Sequence, residues 1–190
     1  MRLDTEGLWR KLGVMIRLVE KSPQGTLGRT AIVKLLYLLQ EVRHLPLGYN
    51  FRLYTYGPFD SNVLNDLGFA QSFQALSVKT VIYPSGYGYN VRPGPEADSM
   101  KECVAKWLGP LEGDIAWAVE TFAGRSAAEL ELVATIVYVD RELARKAGRH
   151  SLDDLAQRVR EVKPRFLAPF VLEKCREAGQ LGLLSSVGQS

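Results

Sequence analysis

The stretch TAIVKLLYLLQEVRHLPLGYNFRLYTYGPFDSNVLNDL, residues 30–67, decides the fold. Its first part sets Ile32, Val33, Leu35, Leu36, Leu38, Leu39 and Val42 almost all round a helix. Hardly any polar face is left for water, which predicts a helix at the centre of the molecule. Next, NFRLYTYG alternates Phe51, Leu53 and Thr55 with Arg52, Tyr54 and Tyr56, the period of a strand. Gly57-Pro58 stops that strand, and Asp60 or Ser61 caps a second helix that turns Val63, Leu64, Leu67 and Phe69 inward.

Upstream, Leu8, Trp9, Leu12, Met15, Ile16 and Val19 recur at helical spacing, so an amphipathic helix is expected over residues 5–21, ending at Lys21-Ser22-Pro23. The turn-rich link SPQGTLGR leads to the central helix, for which Thr26 or Thr30 supplies the capping oxygen. Gly25 and Gly28 ahead of that helix lack the spacing of a phosphate loop and read as turn glycines. Downstream, ALSVKTVIYPSGYGYNVRPG reads as a β-hairpin, with Val78, Val81 and Ile82 on one arm and Tyr87, Tyr89 and Val91 on the other. Pro84-Ser85-Gly86 forms its turn, and its tip is aromatic and nearly uncharged.

From Pro95 the period is that of helices, expected at about 97–108, 111–122, 126–147, 151–161 and 164–180. Ser151 with Asp154 resembles a capping box, and Pro164 suits the first turn of the last helix. The fold class is therefore α+β, mainly α, with a winged-helix-like core of helices, a short strand and a β-hairpin, followed by a C-terminal helical bundle. Residues 1–95 are expected to form the core, residues 96–184 a bundle packed on it as one compact unit, and 185–190 a loose tail.

The 190 residues carry a formal charge of +3 and a hydrophobic share of 46%, enough for a sizeable core and too little charge to imply nucleic acid by itself. Charge is uneven: acids dominate residues 96–131, and lysine and arginine dominate 141–165. Cys103 and Cys175 lie far apart, which gives neither a disulfide framework nor metal-ligand spacing. With no signal-like N-terminus and no long uncharged apolar run, the expected place is the cytoplasm, without membrane attachment.

Catalytic chemistry is not visible. His44 and His150 sit at helix ends without partners at recognisable spacing, Cys103 lies among acids that disfavour the thiolate, and Asp153 and Asp154 complement a helix dipole. No catalytic residue, metal ligand or cofactor is assigned. Two binding readings remain. In the first, the turn Tyr54, Tyr56, Gly57, Pro58, Phe59 and Asp60 and the hairpin tyrosines Tyr83, Tyr87 and Tyr89 contact a protein partner. In the second, Arg145, Arg149, Arg158 and Arg160 contact the phosphates of a nucleic acid. The helix after Asp60 is a poor reader of the major groove, since Asp60 and Asp66 would repel phosphates. Homo-oligomers are compatible with either reading.

Lys34, Leu35, Leu36, Tyr37 and Gln40 in the central helix, followed by Tyr56, Gly57 and Pro58, carry a resemblance to the bacterial Panacea-domain family, the SocA-type antitoxins, and to the uncharacterised YwgA-type proteins. The matching core spans about residues 8–92, and RFLAPFVLEKCREAGQL looks like the closing helix of the YwgA-type proteins. Phe59 departs from the smaller aliphatic residue commoner after Gly-Pro. The resemblance implies a non-enzymatic module that neutralises a toxin or delivers it as an adaptor, by direct protein contact.

Overall fold

The computed structural model describes residues 5–83 and 86–185, and it is an α+β protein, mainly α. Contacts divide the chain into two compact units: residues 1–51 with 60–125, and residues 52–59 with 126–190. The division differs from the expected one at residue 95. Helices 97–122 belong with the N-terminal core, and the short segment 52–59 leaves that core for the C-terminal helices.

In the first unit, α1 (Thr5–Lys21) buries Leu12, Met15, Ile16 and Val19, as its spacing requires. The pivot is α2 (Arg29–Val42), in which every residue from Ile32 to Leu39 is buried, Lys34 and Tyr37 included. Each fully buried Leu, Ile or Val contributes about 1.5–3 kcal/mol, so this one helix accounts for a large share of the unit's stability. Its N-cap is Gly28, with no side-chain cap. Thr26 turns instead to the sheet, where its hydroxyl contacts the Asn90 side chain and the Val91 carbonyl.

That sheet has the order β1-β5-β4: β1 (Leu27–Gly28) pairs with β5 (Gly86–Pro93), which pairs with β4 (Leu76–Tyr83), all antiparallel. The hairpin arms are those expected, while the turn at Pro84-Ser85 lies outside the described residues. Gly94 follows because the chain passes so close to the Gln74 carbonyl that a Cβ would lie 2.1 Å from its oxygen. Between the strands, α3 (Ser61–Ser72) is capped by the Asp60 carboxylate, which accepts from the Asn62 N–H. Val63 and Leu67 are buried, but Phe69 is exposed rather than inward. The unit closes with α4 (Ala97–Cys103), α5 (Ala105–Leu108) and α6 (Glu112–Phe122), which pack on α1, α6 also covering α2. The break at Val104 divides the single helix expected over 97–108.

The second unit centres on α7 (Ala127–Ala147), held at its start by a capping box of Ser126 and Glu129. Against it pack α8 (Leu152–Val162), which has the expected Ser151–Asp154 capping box, and α9 (Ala168–Gln180). The last helix starts later than expected: Pro164 lies in the turn before it, and Pro169 occupies its first turn. Residues 52–59 form a hairpin, not one strand, with β2 (Arg52–Tyr54) antiparallel to β3 (Gly57–Phe59), and β3 lies on α7. Gly57-Pro58, expected to stop a strand, opens the returning one.

Candidate functional site

The short hairpin of residues 52–59 is held by two clamps within its unit, Gly57 on α7 and Lys163 on the turn. Gly57, at φ 83°, presses on α7, where a Cβ would stand 2.9 Å from Thr135 Oγ1 and 3.3 Å from the Glu131 carbonyl oxygen. Only glycine meets both demands. Lys163, at the end of α8, donates from Nζ to the Thr55 carbonyl at the hairpin's turn. The same Nζ lies 2.8 Å from Oε1 of Glu131 on α7, and both side chains are almost wholly buried. Arg165 completes the group with Nη2 2.6 Å from Glu131 Oε2. A buried carboxylate with two cations around it is a stable arrangement only as a set, because removing one partner leaves a buried charge uncompensated.

This frame fixes the hairpin and leaves its aromatic side chains outward. Tyr54 is 58% exposed and Tyr56 67% exposed, while Gly57 and Pro58 are buried. Register puts Arg52 opposite Phe59 and Tyr54 opposite Gly57, so these share one face, where the Tyr54 and Phe59 rings meet edge to face at 5.8 Å. Of the expected binding residues in this turn, Tyr54, Tyr56 and the half-buried Phe59 remain available. Gly57 and Pro58 serve the frame. Asp60 belongs to the first unit, is buried, and accepts from the backbone N–H groups of Asn50 and Asn62.

The other expected tyrosines lie in the first unit. Tyr87 is 71% exposed at the far end of the β4–β5 hairpin, and Tyr89 is half-buried beneath the Arg29 guanidinium, 4.1 Å from the ring centre. The side chain of Tyr83 falls outside the described residues. Arg145, Arg149, Arg158 and Arg160 are all exposed. Two of them already face acids, Arg145 with Glu142 at 3.0 Å and Arg158 with Glu161 at 2.5 Å.

The central-helix motif also has a local job. The Gln40 amide donates to the Tyr49 carbonyl and accepts from the Tyr49 N–H, both at 2.9 Å. Tyr37 and Tyr49 each meet the Phe51 ring edge to face. Tyr49 donates its hydroxyl to Asp66 at 2.9 Å, and burial with the adjacent carboxylate holds that phenol well above its ordinary pKa. Lys11 lies 3.3 Å from the same carboxylate. Asp60 and Asp66 are thus both buried, which corrects the expectation that they would repel phosphates from the surface of α3.

Two polar groups were not legible as sites. His150, expected to be a simple helix-end residue, is buried with Nε2 3.0 Å from Oδ1 of the fully buried Asp140. Asp140 Oδ2 accepts from the Ser185 N–H and hydroxyl, each at 2.9 Å, and Arg141 donates to the Leu183 carbonyl at 3.0 Å. Since the serine donates to the aspartate and not to the histidine, no relay for a nucleophile is formed. The group pins residues 183–185: Leu183 is buried and Ser185 bonded, so the expected loose tail does not begin at 185, and residues 186–190 lie outside the described residues.

The second group is an open cleft of about 400 Å³ in the first unit, lined by Arg17, Asp98, Lys101, Glu102, Leu108 and Glu112. Four of its charged side chains, Arg17, Glu112, Lys101 and Asp98, are engaged in ion pairs. Arg17 grips Glu112 with two hydrogen bonds of 2.6 and 2.8 Å, and Lys101 joins Glu20 at 2.5 Å to Asp98 at 2.9 Å. The Arg17 hydrogen bond holds the Glu112 carboxyl down at about 2. Among the described residues, no set of three His, Cys, Asp or Glu side chains gathers as metal ligands would. Cys175 is buried, which pushes its thiol up to about 12, and Cys103 is exposed. No helix among the described residues is long and apolar enough to cross a membrane. No protein-family model matches the chain, and no curated protein matches its sequence.

Proposed function

We propose that this chain is a non-enzymatic protein-binding module of the cytoplasm, of the antitoxin or adaptor kind, that holds a partner protein by direct contact. The observation that carries the reading is the β2–β3 hairpin. Its backbone is clamped by Gly57 on Thr135 and by Lys163 on Thr55, while Tyr54 and Tyr56 stand outward. Rigid tyrosines are efficient anchors, because they bring large amphipathic area and lose little conformational freedom on binding. Tyr87 on the longer hairpin offers a second anchor of the same chemistry. The resemblance of the Lys34–Gln40 and Tyr56–Pro58 motifs to the SocA-type proteins points the same way.

A second reading, a nucleic-acid-binding regulator, draws support from two observations. With Asp60 and Asp66 buried, α3 shows no acid at its surface, and the order of α1, β1, α2, α3 and the hairpin suits a winged-helix core. Phosphate contacts would then come from Arg149 and Arg160, and from Arg145 and Arg158 once released from their acids.

One capture experiment separates the two. The tagged chain is drawn from its native lysate after nuclease treatment, beside its Tyr56→Ala and Tyr87→Ala variants. A stoichiometric protein that survives nuclease and is lost with either substitution, at unchanged thermal stability, is the expected result. Retention of that protein by both variants would sink the choice of surface, and a partner released by nuclease would transfer the function to the arginines.

A further inference from the structure

The β4–β5 hairpin has an open side. In the sheet order β1-β5-β4, β4 is an edge, and among the described residues no strand pairs with its outer side. Which backbone groups face outward follows from β5. Val91 turns its carbonyl to Thr26 on the β1 side, and Pro93 has no N–H to give, so both sit at positions that do not bond to β4. Their partners are Val78 and Leu76. By alternation, Val78, Thr80 and Ile82 direct their N–H and C=O groups to the open edge.

The side chains along that edge carry a consistent chemistry. Val78, Thr80 and Ile82 lie on the face that includes the fully buried Val91, and this face continues past the core to Ile82, which is 86% exposed. On the opposite face, register places Lys79 beside Asn90 and Arg92 beside Ser77, so two cations are diagonal neighbours. No acid occurs between Asp66 and Glu96. Soluble proteins blunt long edges with several charges, a proline or a bulge; here Lys79 stands alone on an eight-residue strand.

We propose that β4 takes an extended segment of the partner protein as an added strand, apolar on the Ile82 face and acidic on the Lys79 face. The inference rests on the protein-binding reading above and names the chemistry of the partner. Backbone bonds to Val78, Thr80 and Ile82 supply affinity, and the alternating side chains supply the choice. A second copy of this chain is a worse occupant. Pairing β4 with itself about a two-fold near its middle sets Lys79 next to its own symmetry mate on one face, and like charges across strands repel.

The test uses the full chain, labelled with nitrogen-15, and two acetylated octapeptides, one of alternating valine and glutamate and one of alternating valine and lysine. The glutamate peptide should shift the amides of Val78, Thr80 and Ile82 saturably and slow their exchange, binding about fivefold tighter than the lysine peptide, as one or two cross-strand ion pairs allow. Lys79→Glu should reverse that preference. Thr80→Pro removes an outward N–H and should abolish binding; if it also disturbs the hairpin, the charge reversal still decides. Unshifted β4 amides with both peptides, equal affinity for the two, or protection of β4 by dimerisation without peptide would overturn the proposal. Peptide binding at β4 and Tyr56-dependent capture of the partner are read as separate signals. Loss of the β4 signal beside intact Tyr56-dependent capture therefore refutes strand addition alone, and loss of capture beside an intact β4 signal refutes only the tyrosine surface.

Discussion

Lys163 illustrates what a single residue decides. Its ammonium compensates Glu131 inside the second unit and ties the turn carrying Tyr54 and Tyr56 to α8. Lys163→Met keeps most of the apolar stem but strands the carboxylate, and the expected loss of stability is about 3 kcal/mol, the lower end for a broken buried pair because Arg165 still faces Glu131. Adding Glu131→Leu should restore most of that loss while the Thr55 carbonyl stays without its lysine, so stability and partner binding should separate in the double variant. Chemical denaturation of both variants checks this; a double variant no more stable than Lys163→Met would mean that the pair matters for its hydrogen bonds and not for its charge. Neither residue was legible in the sequence. Glu131 opens the run ELVATIVYVD, where an acid beside apolar residues looks like the solvent edge of a helix, and Lys163 sits in a stretch rich in cations. Gln40 and Tyr37 were legible as a motif, but their work, holding Tyr49 and Phe51, depends on a partner that periodicity does not name.

At the scale of elements, those with long apolar periods were readable and the short ones were not. α1 and α2 declare themselves because a dozen or more residues repeat one spacing, and the β4–β5 hairpin because its two eight-residue arms stand either side of the dipeptide Pro84-Ser85 in the sequence. Strands of three residues carry too few alternations, so β2 was read without its partner β3. The contact between α1 and α6 adds a second lesson. It rests partly on Arg17 and Glu112, whose charges give no sign in sequence that they meet across 95 residues. Because the pair holds the Glu112 carboxyl near 2, below the ordinary 4.5, it stabilises the fold fully above about pH 4.5 and ceases to do so as pH falls toward 2. Glu112→Gln should therefore lower Tm at neutral pH, and the gap to the parent should close near pH 2. Thermal melts across that range test it, and a gap independent of pH would show that the carboxylate is not linked to folding.

For the whole molecule, the change of period at residue 95, where strand signals give way to helical ones, is where a division is expected. A change of secondary structure is not a change of core. Residues Met100, Leu108, Ile115, Ala118 and Phe122 are buried in the unit that contains α1 and α2, and a fragment ending at 95 lacks them all. Meanwhile residues 52–59 join the C-terminal unit without any glycine-rich or charged linker to announce the crossing, since the crossings at 51–52 and 59–60 fall beside Phe51 and Asp60, which are held in the first unit by Tyr37 and by Asn50 and Asn62. A fragment of residues 1–95 should thus be without a cooperative thermal transition, because α1 has lost the helices that pack along it and α2 has lost α6. A fragment of residues 1–125, with 52–59 replaced by an eight-residue Gly-Ser loop, keeps that core and should unfold cooperatively with helical circular dichroism. Cooperative unfolding of the shorter fragment would restore the boundary at 95, and it would make helices 97–122 an accessory layer in place of part of the core.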